Sequence, residues 1–166
     1  MTRQRAPWSS LLIGTSAVAT VLCVLLALVG YGRLPHVPAW FPLLLLLAPL
    51  LALPFIITGY SLRDGMLLIH RPGWDYKAPL ADFVSAEFTP HSMSGNIRLF
   101  GNGGFYSFTG LYTNPRLGRY RAFWTDQRRT VVLVFRKRKI VISPEHPEAF
   151  VAEIQSAANP FAPTTK

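Results

Sequence analysis

The chain has 166 residues, half of them hydrophobic and 15% charged, with a formal net charge of +9. That length leaves room for one folded core beside a membrane segment, not for two cores. The single cysteine excludes an internal disulfide and a thiolate metal site, and all eight acidic residues lie after Tyr60.

Two runs near the N-terminus, Leu11 to Val29 and Phe41 to Tyr60, contain no charged residue. At about 1.5 Å rise per residue, each is long enough as a helix to cross a hydrocarbon core of roughly 30 Å. The connection from Tyr31 to Trp40 is short and rich in helix breakers, which makes the two spans antiparallel neighbours. Trp8, Tyr31, Trp40 and Tyr60 bracket the runs, as amphipathic rings at a water–lipid boundary do.

Arg3 and Arg5 precede the first run, Arg63, Arg71 and Lys77 follow the second, and only Arg33 lies between them. The positive-inside bias therefore predicts a multi-pass inner-membrane protein with both termini in the cytoplasm. A cleaved signal peptide is the competing reading of the first run. Against it, the run exceeds the usual ~7 to 15 apolar residues, and no small-x-small site follows before Arg33.

Thr15, Ala19, Cys23 and Ala27 recur every four residues in the first span, a stripe of small side chains that lets another helix approach closely. Packing against the second span is the plainer use of that stripe, and contact with another copy of the chain is the alternative. In the second span, Pro49 and Pro54 remove backbone donors and free the carbonyls of Leu45 and Leu50, which predicts a bend. Neither span offers an acidic, basic or histidine side chain at depth, which argues against a transporter or channel.

After Thr58 the pattern changes to short β-branched and aromatic runs punctuated by turn signals. Ile57 to Arg63 and Met66 to His70 flank Asp64-Gly65, a pair suited to a tight hairpin turn. Further strands are predicted at Trp74 to Ala78, Phe83 to Phe88, Tyr106 to Tyr112, Gly118 to Trp124, Val131 to Phe135 and Lys139 to Ile142. In the run ending at Trp124, Tyr120, Ala122 and Trp124 share one face and Arg119, Arg121 and Phe123 the other, so one face is expected to be core and the other wet. Ser143-Pro144-Glu145-His146-Pro147-Glu148 reads as a helix entrance, and Phe150, Val151, Ile154, Ala157 and Ala158 fall on one face of the helix that follows. That helix should stop at Asn159-Pro160. The chain thus divides into a hairpin at 1–60, an α+β domain of antiparallel strands at 61–158 and a patternless tail at 159–166.

The wording of the second half carries a resemblance. Phe100-Gly101-Asn102-Gly103-Gly104-Phe105, Phe108-Thr109-Gly110-Leu111, Leu117-Gly118-Arg119-Tyr120-Arg121-Ala122, Thr125-Asp126, Val141-Ile142-Ser143-Pro144 and Pro147-Glu148-Ala149-Phe150 together resemble the bacterial PH (pleckstrin-homology-like) domain family of small membrane proteins. The resemblance covers roughly Tyr60 to Ala158. It implies a PH-like antiparallel barrel or sandwich, a strongly bent sheet of seven strands closed by one C-terminal helix. It also implies binding or assembly, with oligomers known among members, rather than catalysis. Eukaryotic members that bind phosphoinositides carry a basic cluster at the first hairpin. Here that loop is Arg63, Asp64, Gly65 and Met66, a poor cradle for a polyanion.

Arg136-Lys137-Arg138-Lys139, with Arg128 and Arg129 before the preceding strand, forms the strongest charge feature. It reads either as a solvated hairpin tip that keeps strand edges from pairing or as a contact for anionic lipid at about 1 kcal/mol per close charge. Arg116, Arg119 and Arg121 alternate with aromatics, but no nucleic-acid recognition motif accompanies them and no nucleic acid is expected. Gly101 to Gly104 lacks the spacing of a phosphate loop and reads as a bulged loop entering a strand. His36, His70, His91 and His146 are scattered without metal-ligand spacing, and Ser92, Ser94 and Ser107 lack the setting of a nucleophile elbow. The sequence therefore predicts no cofactor, no metal and no catalysis. It predicts a membrane-anchored interaction or assembly module, with an anionic-lipid sensor using the basic hairpin as the alternative.

Overall fold

The computed structural model describes residues 3–31, 33, 38–93 and 95–158. His36, Ser94, the Asn159-Pro160 stop and the tail fall outside them.

The first apolar run forms α1, Ser10–Gly30. Ser9 caps it, its Oγ accepting the Leu12 N–H at 3.2 Å. The two threonine hydroxyls of α1 are met within the helix, Thr15 Oγ1 donating to the Leu11 carbonyl and Thr20 Oγ1 to that of Ser16. Val18, Leu22, Leu25 and Leu28 are exposed, so this is no buried core helix of a soluble fold. By length and composition it can cross a membrane.

The second run departs from expectation. Helical structure extends only from Phe41 to Phe55, as a 3-10 stretch Phe41–Leu46, a short α2 at Leu47–Ala52 and a 3-10 turn Leu53–Phe55. Prolines at 42, 49 and 54 remove donors, and tighter bonding answers them: the Leu53 N–H reaches the Leu50 carbonyl that Pro54 would otherwise orphan. From Ile56 the chain is extended. Tyr60, expected at the lipid boundary, is instead fully buried in the core of the domain.

Ten strands are described. A four-stranded sheet has the order β1-β2-β3-β4, with β1 Gln4–Arg5, β2 Gly59–Arg63, β3 Met66–His70 and β4 Tyr76–Pro79. A six-stranded sheet has the order β5-β9-β10-β8-β7-β6, with β5 Phe83–Phe88, β6 Ile97–Gly103, β7 Phe108–Asn114, β8 Gly118–Trp124, β9 Val131–Phe135 and β10 Arg138–Ile142. The pairing is antiparallel except that β10 runs parallel to β8. Both the seven-strand expectation and the fully antiparallel one are corrected here. Two strands went unforeseen. β1 is too short to show a pattern, and β6 carries the glycines that read as a loop.

The Asp64-Gly65 turn forms as expected, with φ of 51° and 70°. The bulge on β6 lies between Arg98 and Phe100, not in the glycines. Gly101 instead pairs with Gly110 in β7. A Cβ on Gly110 would sit 2.2 Å from the Phe100 carbonyl oxygen, so the two backbones close up only because neither residue has a side chain.

The main core lies between the two sheets and is closed by α3, Pro147–Ala158. Phe150, Ile154 and Ala158 are buried, with Val151 and Ala157 packed beside them, the face read from the sequence. A second cluster, including Met93, Tyr112, Tyr120 and Trp124, covers the opposite face of the six-stranded sheet. The continuous apolar run of β9 fits strands covered on both faces. The expectation of one wet face on β8 holds for Arg119 and Arg121 and fails at Phe123, which is buried in the main core.

α1 and the 41–55 segment pack side by side, and both root on the domain. Ser9 N–H donates to the Thr125 carbonyl, Tyr106 N–H donates to Ser16 Oγ at 2.9 Å, and Ser107 Oγ donates to the Phe55 carbonyl at 2.7 Å. The buried face of α1 runs through Leu12, Ser16 and Ala27, with Ala19, Thr20 and Cys23 partly covered; Thr15 is exposed. A strict four-residue spacing drifts off a face that repeats every 3.6 residues, which removes Thr15 from the expected stripe.

Candidate functional site

The six cations picked out of the sequence do not form one surface. Arg128 and Arg129 follow β8, where the buried Asp126 holds both at 3.8 Å. Asp126 also caps their turn by accepting the Arg128 N–H, and Arg129 donates to the Glu145 carbonyl. The Arg129 guanidinium is thereby tied into the fold, while that of Arg128 stays largely exposed.

Arg136 and Lys137 occupy the turn at the other end of β9, roughly 20 Å away at the 3.3 Å rise of a strand. Both are exposed. Arg138 lies over the rings of Phe135 and Tyr76, and Lys139 Nζ donates to the Leu117 carbonyl at 2.7 Å. That bond ties the turn to the β7–β8 turn, so Arg116 and Arg119, also exposed, join the same end of the domain. Sequence reasoning missed this union because the parallel β8–β10 pairing that makes it leaves no local signal. The basic end lies opposite the end at Thr125 where α1 begins.

A hydrogen-bonded chain that the sequence did not suggest lies on the outer face of β2 and β3. Ser61 Oγ is 2.8 Å from His70 Nε2, and His70 Nδ1 is 2.9 Å from Asp75 Oδ1. The connectivity is that of a serine-hydrolase relay. The register of the Asp64-Gly65 hairpin carried the signal, since it sets Gly59 opposite His70 and so brings Ser61 diagonally next to it. The relay sits on a strand face rather than at a strand-to-helix elbow. It spans the turn between β3 and β4, whose flanking residues Arg71 and Tyr76 turn toward the interior. Among the described residues no group of three or more His, Cys, Asp or Glu is placed to hold a metal.

Inside that turn lies a cluster of rings and guanidiniums. Tyr76 and Phe123 pack with centroids 4.6 Å apart. Arg71 lies over Phe123 at 4.8 Å, while Arg121 and Arg138 lie over Tyr76 at 5.6 and 5.8 Å. Arg71 forms no ion pair among the described residues, and its Nε is buried without a hydrogen-bond partner. Desolvation lowers its pKa from the ordinary arginine value. Nearby, burial raises the Tyr60 phenol to about 12; on the opposite face of the six-stranded sheet it also raises those of Tyr112 and Tyr120.

Two sheets around one core, closed by a single C-terminal helix and furnished with charged turns, define a pleckstrin-homology-like module, a class that is generally non-catalytic. The profile of the bacterial PH domain family matches residues 58–158, more than half of the chain, and the chain belongs to that family. No curated protein and no solved structure matches it.

Proposed function

We propose that the protein is a two-span, membrane-anchored bacterial PH-like domain that serves as a non-catalytic interaction and assembly module at the cytoplasmic face. The observation that carries this reading is the pairing of β1 with β2, Gln4 opposite Tyr60 and Arg5 opposite Gly59. Residues on either side of the apolar segments are hydrogen-bonded to each other, so both sides share one compartment. If α1 crosses the bilayer, the 41–55 segment returns.

At about 2.0 Å per 3-10 residue and 1.5 Å per α residue, that segment spans roughly 27 Å, close to the hydrocarbon thickness. Trp8, Phe105 and Tyr106 then form an aromatic belt at the domain end, with Tyr31, Trp40 and Phe41 at the loop end. Cleavage after α1 would strip β1 from its sheet and Ala6 from the core, which weighs against a signal peptide.

Assembly has its own support. β6 is an edge strand with Ile97, Leu99 and Phe100 exposed, Phe100 by 80%. An uncovered apolar edge is a surface for a second protein or a second copy. The basic end lies away from the roots of the helices, which favours an acidic partner in the cytoplasm over the leaflet that holds the anchor.

The topology is tested by single cysteines in a Cys23→Ser background. An impermeant maleimide added to intact cells should label Ala39→Cys and leave Ser156→Cys unlabelled until the cells are lysed. Labelling of Ser156→Cys in intact cells, or recovery of the protein in the soluble fraction, overturns the anchor. For assembly, light scattering in detergent should show an oligomer that Leu99→Lys converts to monomer; a monomeric wild type removes the assembly role.

A further inference from the structure

A cavity of about 770 Å³ opens between the second helical segment and the inner face of β6, β7 and β8. Leu51 and Phe55 line it from the helical side, Phe100 and Leu111 from the sheet, and Arg71 and Arg121 supply its charge. Among the described residues no acidic side chain lines it. The nearest in sequence, Asp75, is already engaged by His70.

A guanidinium stays ionised at any ordinary pH, and a half-buried one is costly unless an anion or hydrogen-bond acceptors meet it. Arg71 lacks both for its Nε. It is held over Phe123 while Arg121 is held over Tyr76, and those two rings touch, so both cations are fixed on one aromatic floor. The remaining walls are mainly apolar, with Asn102 and Thr109 as polar exceptions on the sheet side. A site with two fixed cations at one side and mainly apolar walls elsewhere suits a molecule that is anionic at one end and hydrocarbon at the other.

We propose that this cavity binds the headgroup of one anionic phospholipid from the surrounding bilayer, its phosphate between Arg71 and Arg121 and an acyl chain along Leu51, Phe55 and Phe100. The source is the membrane because Leu51 and Phe55 belong to the apolar segment itself, so the cavity and the lipid share a wall. The proposal rests on the anchored reading above. It differs from the basic-tip reading in site and in residues. It also gives the Ser61–His70–Asp75 chain a use, since that chain braces the turn that carries Arg71 at one end and Tyr76 at the other.

The test uses the full chain in neutral detergent, with bound lipid counted by native mass spectrometry. Wild type should prefer palmitoyl-oleoyl phosphatidylglycerol to the matching phosphatidylcholine at least tenfold. Arg71→Gln with Arg121→Gln should bring the two within twofold, and Leu51→Trp, which fills the cavity and leaves both cations, should cut phosphatidylglycerol binding about tenfold. Arg121→Gln alone, at an exposed position, guards against a folding defect in the double variant. Arg136→Gln with Lys137→Gln should keep the full preference.

Equal binding of the two lipids by wild type overturns the site. So does a preference that survives both the arginine pair and Leu51→Trp, or one lost with the tip variant. Displacement of the lipid by millimolar inorganic phosphate would make the ligand a free anion and overturns the lipid assignment. Carbonate extraction of proteoliposomes separates the two readings. Protein that stays with the membrane yet shows no lipid preference refutes the cavity alone, and protein released by carbonate refutes the anchor.

Discussion

Tyr60 shows how one side chain can join two sheets. Its Oη donates to the Phe123 carbonyl at 2.7 Å and accepts the Ser143 N–H at 3.2 Å, with the ring set edge-on to Phe150. Tyr60→Phe leaves both backbone groups buried and unmet, at about 1–3 kcal/mol for each group left unsatisfied. A clear fall in the urea midpoint in micelles is the expected outcome, and an unchanged midpoint counts against the role. The same residue predicts an alkaline effect. Its folded pKa, raised to about 12 from 10, means that the folded state holds the phenol proton more tightly than the unfolded chain does. That contribution is complete below pH 10 and is lost as pH rises from 10 through 12. Midpoints measured from pH 9 upward should therefore fall in wild type and fall less steeply in Tyr60→Phe. Tyr112 and Tyr120, shifted the same way by burial, account for the slope that remains.

At the scale of elements, what could be read from the sequence was what local pattern encodes. The Asp64-Gly65 hairpin, the strand at Val131 to Phe135 and the apolar face of α3 follow from turn chemistry, β-branched composition and periodicity. The end of the second apolar run did not, because Ile57 and Tyr60 are as suited to a bilayer as to a protein core, and only tertiary contact decides between them. The anion-ready cavity was invisible for a related reason. Arg71 and Arg121 lie fifty residues apart, one in the turn after β3 and the other in β8, and appeared in the sequence as unrelated charges. The small-residue stripe was legible in composition and misplaced in phase, and that difference is measurable. Ala27 is fully buried against the returning segment, whereas Thr15 faces outward. Ala27→Leu overpacks the hairpin, at about 1–3 kcal/mol, and should lower the thermal midpoint in micelles, while Thr15→Leu should leave it unchanged. Equal effects at the two positions would restore the original stripe.

For the molecule as a whole, the segment matched by the family profile is not the whole folded unit. Residues 4–9 lie outside 58–158, yet they complete the domain. β1 extends the four-stranded sheet, Glu145 N–H donates to the Arg5 carbonyl at 3.0 Å, His146 N–H to Gln4 Oε1 at 3.1 Å and Thr125 Oγ1 to the Pro7 carbonyl at 2.8 Å. This N-terminal clasp and α3 meet at the same place, since Glu145 and His146 lead directly into that helix. A fragment of residues 58–158 alone loses each of these bonds and bares the β2 edge, so it should unfold at lower urea than a fragment given the clasp. Because the clasp is a separate stretch of chain, a synthetic peptide of residues 3–9 added in excess should raise the fragment's midpoint with peptide concentration, as any ligand of the native state does. A peptide in which Arg5 is replaced by Pro cannot pair in the same way and should fail to raise it. If the fragment is indifferent to the peptide, β1 is not part of the folded domain, and nothing then holds the two ends of the apolar segments in one compartment.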